Sequence, residues 1–277
     1  MHHSHEKPNL AGRGSANGQK NQIGVNLVYT KFFFITLGQD DEPTRTKVRK
    51  AGTAIGRGFL NDFDTTGGRD AATLEMIQLL VNDEPQECDQ GIRSAQLVAQ
   101  VSAKYRPRLQ DVEKEFRRRL GDAGRVRTLD GAIRVPRYTS AELHERAYAK
   151  AVCRQTGAMT PNAIILPMNK SAEWWGMEAL ERHQYFYPHT TQYGHRVKGH
   201  AVAAEEGVSK IFSRLYHNPD GYQREGEYDF VTYFECGDEN LSVYDRITSA
   251  LRDEKQNPEW RYVTEGPEWR GRRVLRW

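Results

Sequence analysis

The chain has 277 residues, 38% of them apolar and 28% charged, a balance that excludes a fibrous or wholly disordered protein. Forty Lys and Arg against 37 Asp and Glu leave a net charge of +3, too near neutrality to indicate a nucleic-acid or anionic-membrane partner. No window approaches the roughly 18 apolar residues of a membrane helix, and three scattered cysteines (Cys88, Cys153, Cys236) fit reduced thiols in a cytoplasm rather than a disulfide framework or a cysteine-built zinc site.

Residues 1–22 are polar, rich in Gly, Asn and Lys, and include His2, His3 and His5. This composition predicts a disordered tail without a secretory leader. The β-branched and aromatic run from Val25 to Leu37 predicts the first strand, closed by Gly38. Asp40, Asp41 and Glu42 read as a solvated acidic turn rather than a cation site. Gly52 to Gly58 is glycine-rich but lacks the Gly-Lys-Ser/Thr ending of a phosphate loop, and reads as a turn. Between Thr66 and Val81, the spacing of Leu74, Ile77, Leu80 and Val81 predicts a helix. A longer helical stripe runs from about Gln90 to Leu120 through Leu97, Val101, Tyr105, Leu109, Val112, Phe116 and Leu120, with Pro107 expected to break it near Tyr105. Thr139-Ser-Ala-Glu142 reads as a capping box opening a helix to Cys153.

In the second half, strands are expected at Asn162–Met168, Val208–Tyr216, Asp229–Glu235 and Arg272–Arg276, with helices at Trp175–Tyr187 and Leu241–Asp253. Strand alternation also accounts for the basic stretch from Arg270 to Arg276, so it is not read as a nucleic-acid surface. Strand, helix, strand, strand, helix, strand is the order of a ferredoxin-like unit. The first half offers a looser version of it, enlarged by helices. The expected fold class is therefore α+β with two ferredoxin-like halves: a tail over 1–22, an N-terminal half over 23–158 and a C-terminal half over 159–277.

Four strings go beyond class-level reading. They are Leu166-Pro-Met-Asn-Lys-Ser-Ala-Glu-Trp-Trp-Gly-Met177, Pro188-His-Thr-Thr191, Arg214-Leu-Tyr-His217 and Asp229-Phe-Val-Thr-Tyr-Phe-Glu235. Together they resemble the haem-binding half of the chlorite dismutase family, over roughly residues 160–273. The resemblance implies a haem b oxidoreductase built as a dimeric α+β barrel, homo-oligomeric and pentameric in the larger members, that splits chlorite into chloride and dioxygen.

It further implies His189 as the axial iron ligand, because the 14-residue step from Trp175 matches the family step. His183, His195, His200 and His217 lie off that spacing. Trp174 and Trp175 would wall the haem, Lys170 would reach a propionate, and Glu254 lies near the carboxylate that bonds the axial imidazole. Chlorite-splitting members carry a distal Arg where this chain has Ser213, with Arg214 one residue away. Strand alternation turns Ile211, Ser213 and Leu215 toward the haem, and Phe212, Arg214 and Tyr216 away from it.

A serine supplies a neutral hydrogen bond in place of a full charge, a weaker anchor for an anion. Ser213 therefore leaves three readings open: cleavage of chlorite or peroxide, a haem-dependent dehydratase or lyase acting on a neutral organic substrate, and a haem-binding module without catalysis. The step from His189 to His217 is 28 residues, about eleven more than the resemblance implies, and the added segment over 192–207 reads as a surface loop.

Overall fold

The computed structural model describes residues 28–60, 74–82, 91–133 and 160–274. The N-terminal half runs β1 (Tyr29–Leu37), α1 (Glu42–Leu60), β2 (Leu74–Val81), β3 (Leu97–Ala103), α2 (Arg106–Leu120) and β4 (Gly124–Ala132). Its strands lie in the order β2-β3-β1-β4 with every pair antiparallel, so the first half is as regular a ferredoxin-like unit as the second.

Four local expectations differ from what the chain does here. Leu74–Val81 is a strand, and the long stripe after Gln90 divides into strand β3 and helix α2. Strand β3 is buried at all seven positions because both its faces are covered. A continuous apolar run of that kind matches helical spacing as readily as strand spacing. Pro107 lies in the first turn of α2, where its missing N–H has no partner to lose, so it starts a helix rather than kinking one. Gly52–Gly58 belongs to α1 and is not a turn. The acidic turn before α1 serves the helix: Asp41 Oδ1 accepts the Thr44 amide at 2.8 Å, and Asp40 pairs with Arg45 at 2.6 Å.

The C-terminal half runs β5 (Asn162–Lys170), α3 (Ala172–Gly176), α4 (Ala179–Gln184), β6 (His189–Thr190), β7 (Arg196–Val197), α5 (Gly199–Ala203) and α6 (Glu205–Val208). It continues with β8 (Phe212–His217), β9 (Phe230–Cys236), α7 (Leu241–Arg252), a 3-10 turn (Pro258–Tyr262), β10 (Val263–Glu265) and β11 (Trp269–Val274). The helix expected over Trp175–Tyr187 is thus two short helices, and Val208 ends a helix rather than starting a strand. The added segment is a small β6–β7 hairpin followed by α5 and α6, not a featureless loop.

The strand order β11-β5-β9-β8 repeats that of the first half. Pairing of β2 with β11 and of β4 with β8 joins the two sheets into a closed ring of eight strands, with β10 alongside the far end of β5. Closure leaves the eight ring strands without a free edge. Phe32, Phe34, Val98, Leu129, Tyr216, Tyr233 and Trp269 fill the interior. Outside, α1 and α2 cover the first half through Phe33, Ile35, Val48, Ile55, Leu109 and Phe116. Helix α7 covers part of the second through Val243, Tyr244 and Ile247 on Ile164 and Ile211.

The expectations for residues 1–22, for Thr139–Cys153, for the division near 158 and for Cys88 and Cys153 lie outside the described residues. Among the described residues, no helix is long and apolar enough to cross a membrane. Cys236 is buried and unbridged, and burial pushes its thiol up to about 11.

Candidate functional site

Strand β8 sets the geometry through its alternation. Phe212 and Tyr216 enter the barrel core, whereas Ile211, just before the strand, packs beneath α7. Ser213, Leu215 and His217 therefore share the outer, helix-bearing face. The register lays three rows across this face: Ile164, Phe234 and Ser213; Leu166, Thr232 and Leu215; Met168, Phe230 and His217.

The two outer rows are covered differently. Helix α7 packs on the first through Ile164 and Phe234. The third lies under stacked rings, with Trp175 parallel to Tyr222 at 4.0 Å and 9°, Phe230 5.8 Å from Trp175, and His217 edge-on to Phe230 at 5.1 Å. Between these covers Leu215 is 38% exposed and Ser213 is open to solvent. The result is a half-open apolar slot bounded at both ends, an arrangement suited to a flat ligand.

Strand β5 runs past these rows to Lys170, which is buried. Its Nζ donates to Glu259 Oε1 at 2.5 Å and lies 4.0 Å over the Trp174 ring. The other oxygen of Glu259 lies 2.8 Å from Nδ1 of His200. An ionised carboxylate can only accept, so Nδ1 of His200 carries a proton and Nε2 is left as the nitrogen that can present a lone pair. The His200 side chain is one-third exposed, which leaves that nitrogen reachable.

Burial pushes the Glu259 carboxyl up, but His200 and Lys170 outweigh it and hold the group down at about 2. For Lys170 burial prevails, and the ammonium lies below the usual lysine range despite Glu259. Gly199, at a φ of +74°, starts the helix that carries His200. The amides of Lys198 and Gly199 donate to the Gln256 carbonyl at 2.9 and 3.1 Å, and the His200 amide donates to Tyr185 at 3.0 Å. Backbone anchors thus place the imidazole on its carboxylate.

No family model matches the sequence. Solved structures do. A variant of chlorite dismutase from Candidatus Nitrospira defluvii superposes with a TM-score of 0.64 at 20% identity, covering 89% of this chain and 91% of that one. The fold is that of the chlorite dismutases. The same enzyme in complex with imidazole gives a TM-score of 0.63 at 21% identity over the same shares. A further variant in complex with cyanide gives 0.62 at 20%, covering 89% of this chain and 90% of that one.

Within this chlorite dismutase fold the residues expected to form the site fall into two groups. Lys170, Trp174, Trp175, Ile211, Ser213 and Leu215 all border the slot or the buried triad. Trp174 is buried between Tyr185 and Tyr262, with ring centres 5.6 and 5.7 Å away. Nε1 of Trp175 donates to Asp229 at 3.0 Å.

The others are placed differently, although the His189 ring lies edge-on to Tyr185 at 5.9 Å. His189 lies in the β6–β7 hairpin, with Nδ1 3.0 Å from the Tyr187 carbonyl and, among the described residues, no carboxylate behind it. Glu254 is in an exposed turn, five residues short of the carboxylate that does hold an imidazole. The Arg214 guanidinium sits 5.2 Å from the centre of the Phe212 ring, off the face that carries Ser213.

Three contributors are absent from the expected set: Glu259, the buried Asp229 and Tyr222. Asp229 Oδ2 accepts the Lys170 amide at 2.9 Å and the Trp175 indole, while Oδ1 accepts the Gln223 amide at 2.5 Å. One sequence signal did point to His200. Its step to His217 is 17 residues, free of the excess seen when counting from His189.

Proposed function

We propose that the C-terminal half, from about residue 159, binds haem b in the slot between α7 and the Trp175–Tyr222 stack, with His200 as the residue that would hold the iron. The residues present fit that group: an imidazole whose tautomer a buried carboxylate fixes, beside a face of the sheet left uncovered at Ser213 and Leu215. The observation that carries the reading is the Lys170–Glu259–His200 triad. The move from His189 to His200 follows from the same fact, since the carboxylate stands behind His200 and not behind the hairpin histidine.

Haem held there would supply the redox chemistry for cleaving a small oxidant. Glu259 accepts the Nδ1 proton of His200, makes the ring more basic and holds its orientation. Lys170 keeps Glu259 ionised, so its ammonium serves the carboxylate rather than a propionate. Leu215, Leu166 and Thr232 exclude water from one face of the ligand.

Ser213 offers a hydroxyl at the face where an anion would be held. With a neutral donor there and Arg214 turned aside, peroxide is the better-matched oxidant and chlorite the poorer one. The same hydroxyl favours a second reading, dehydration of a neutral organic substrate. A homo-oligomer is the expected assembly.

Titration of haem into the haem-free protein, followed by its Soret band, tests the proposal. His200→Ala should abolish the ligated spectrum and His189→Ala should keep it. The reverse pattern would return the ligand to the hairpin, and no band in the wild type would refute haem binding. Peroxide and aldoxime turnover by the loaded protein separates the two chemistries.

A further inference from the structure

Tyr222 and Trp175 bound the slot, but their polar partners serve no purpose in bounding it. The two rings lie parallel at 4.0 Å, the closest ring stack among the described residues, over the end of the slot. Each has a polar partner suited to a different charge state. The indole N–H points at Asp229, a carboxylate that is 1% exposed and already accepts two backbone amides. The phenol oxygen of Tyr222 lies 2.9 Å from Nδ1 of the buried His217. A fixed anion beside an indole stabilises the positive charge that the ring carries after losing an electron. A phenol is a poor electron donor unless its proton has somewhere to go, and an imidazole nitrogen at hydrogen-bond distance is such a place.

We propose that Trp175 and Tyr222 form a proton-coupled electron relay between the slot and the surface, serving one-electron oxidation of aromatic donors such as phenols and anilines. In the resting state the Tyr222 hydroxyl donates to Nδ1 of His217, whose own proton is on Nε2. A one-electron oxidant in the slot takes an electron from Trp175. Tyr222 then returns one electron to the indole and passes its hydroxyl proton to His217 Nδ1, leaving a neutral tyrosyl radical and an imidazolium. A donor at the partly exposed Tyr222 gives one electron, His217 returns its proton to Tyr222, and the donor leaves as a radical cation that sheds its own proton to water. Each turn moves one electron from donor to oxidant and conserves every proton on the protein.

The relay rests on the haem reading for its natural oxidant, but its test does not. The haem-free full chain is mixed with ruthenium tris-bipyridine and a sacrificial acceptor, flashed, and examined by EPR. The expected result is a neutral tyrosyl signal that Tyr222→Phe reduces to the background of the other tyrosines. Trp175→Phe should slow its appearance, and His217→Gln should slow it in a manner that added imidazole restores. Circular dichroism of each variant confirms that it folds. A signal unchanged in Tyr222→Phe, or one that forms equally fast in Trp175→Phe, overturns the relay whether or not haem binds.

Discussion

Replacing Glu259 with Gln isolates the buried triad from everything else in the slot. The Glu259 side chain is 5% exposed and that of Lys170 7%, so the substitution strands an ammonium that has no solvent to turn to. Gln keeps the volume and one acceptor oxygen, but its amide presents two donors to a site that holds a lysine and an imidazole N–H. Removing one partner of a buried pair costs about 3–5 kcal/mol. A ceiling follows from the lysine itself, because giving up its proton at pH 7 from an ordinary pKa near 10.4 costs about 4–5 kcal/mol. For a chain of this size the loss corresponds to a fall in Tm of roughly 10 °C.

The pair variant Lys170→Met/Glu259→Gln should recover most of that loss, to within about 1–2 kcal/mol of the wild type, because no unpaired charge remains. Urea and thermal unfolding of the haem-free protein, compared across the wild type and both variants, give the answer. The reasoning fails if the single variant unfolds within about 1 kcal/mol of the wild type, a change ordinary for a surface site. It fails equally if adding Lys170→Met makes the protein weaker still.

Acid should erase the same contribution. The folded carboxyl of Glu259 titrates at about 2 against an ordinary 4.5, so its stabilisation is complete above pH 4.5 and is lost as pH falls through 2. The urea midpoint of the wild type should therefore approach that of Glu259→Gln between those values, and a gap independent of pH would contradict the assignment. Gly199→Ala adds a Cβ 2.5 Å from the Tyr187 carbonyl oxygen at a φ of +74°; it should cost about 2–3 kcal/mol in chemical denaturation and weaken haem uptake by displacing His200. Ser213→Arg places a guanidinium on the slot face and should create or raise oxygen release from chlorite, read with an oxygen electrode, while Arg214→Ala should change it little.

Much of this architecture is legible in the residues, and the failures have physical causes. The first strand, the C-terminal order of strands and helices and the Trp174–Trp175 segment all carry local patterns that agree with their environment. Strand β3 does not, because it is buried on both faces and loses the alternation that marks a strand at a surface. Pro107 is ambiguous for a related reason, since the same ring that breaks a helix interior suits a helix start.

The histidine proposed to hold the haem is obscured in the sequence by the added segment. Counting forward from Trp175 reaches His189, counting back from His217 reaches His200, and only the fold shows that the extra residues precede the imidazole held by a carboxylate. Glu259 lies 59 residues beyond His200 in sequence, a pairing that no local pattern records.

Resonance Raman of the ferrous, haem-loaded protein tests the central claim most directly, because the iron–imidazole stretch reports the ligand and its hydrogen bond together. The band should move to lower frequency in Glu259→Gln, disappear in His200→Ala and stay unchanged in His189→Ala. A band that ignores Glu259 and His200 but vanishes with His189 would contradict it.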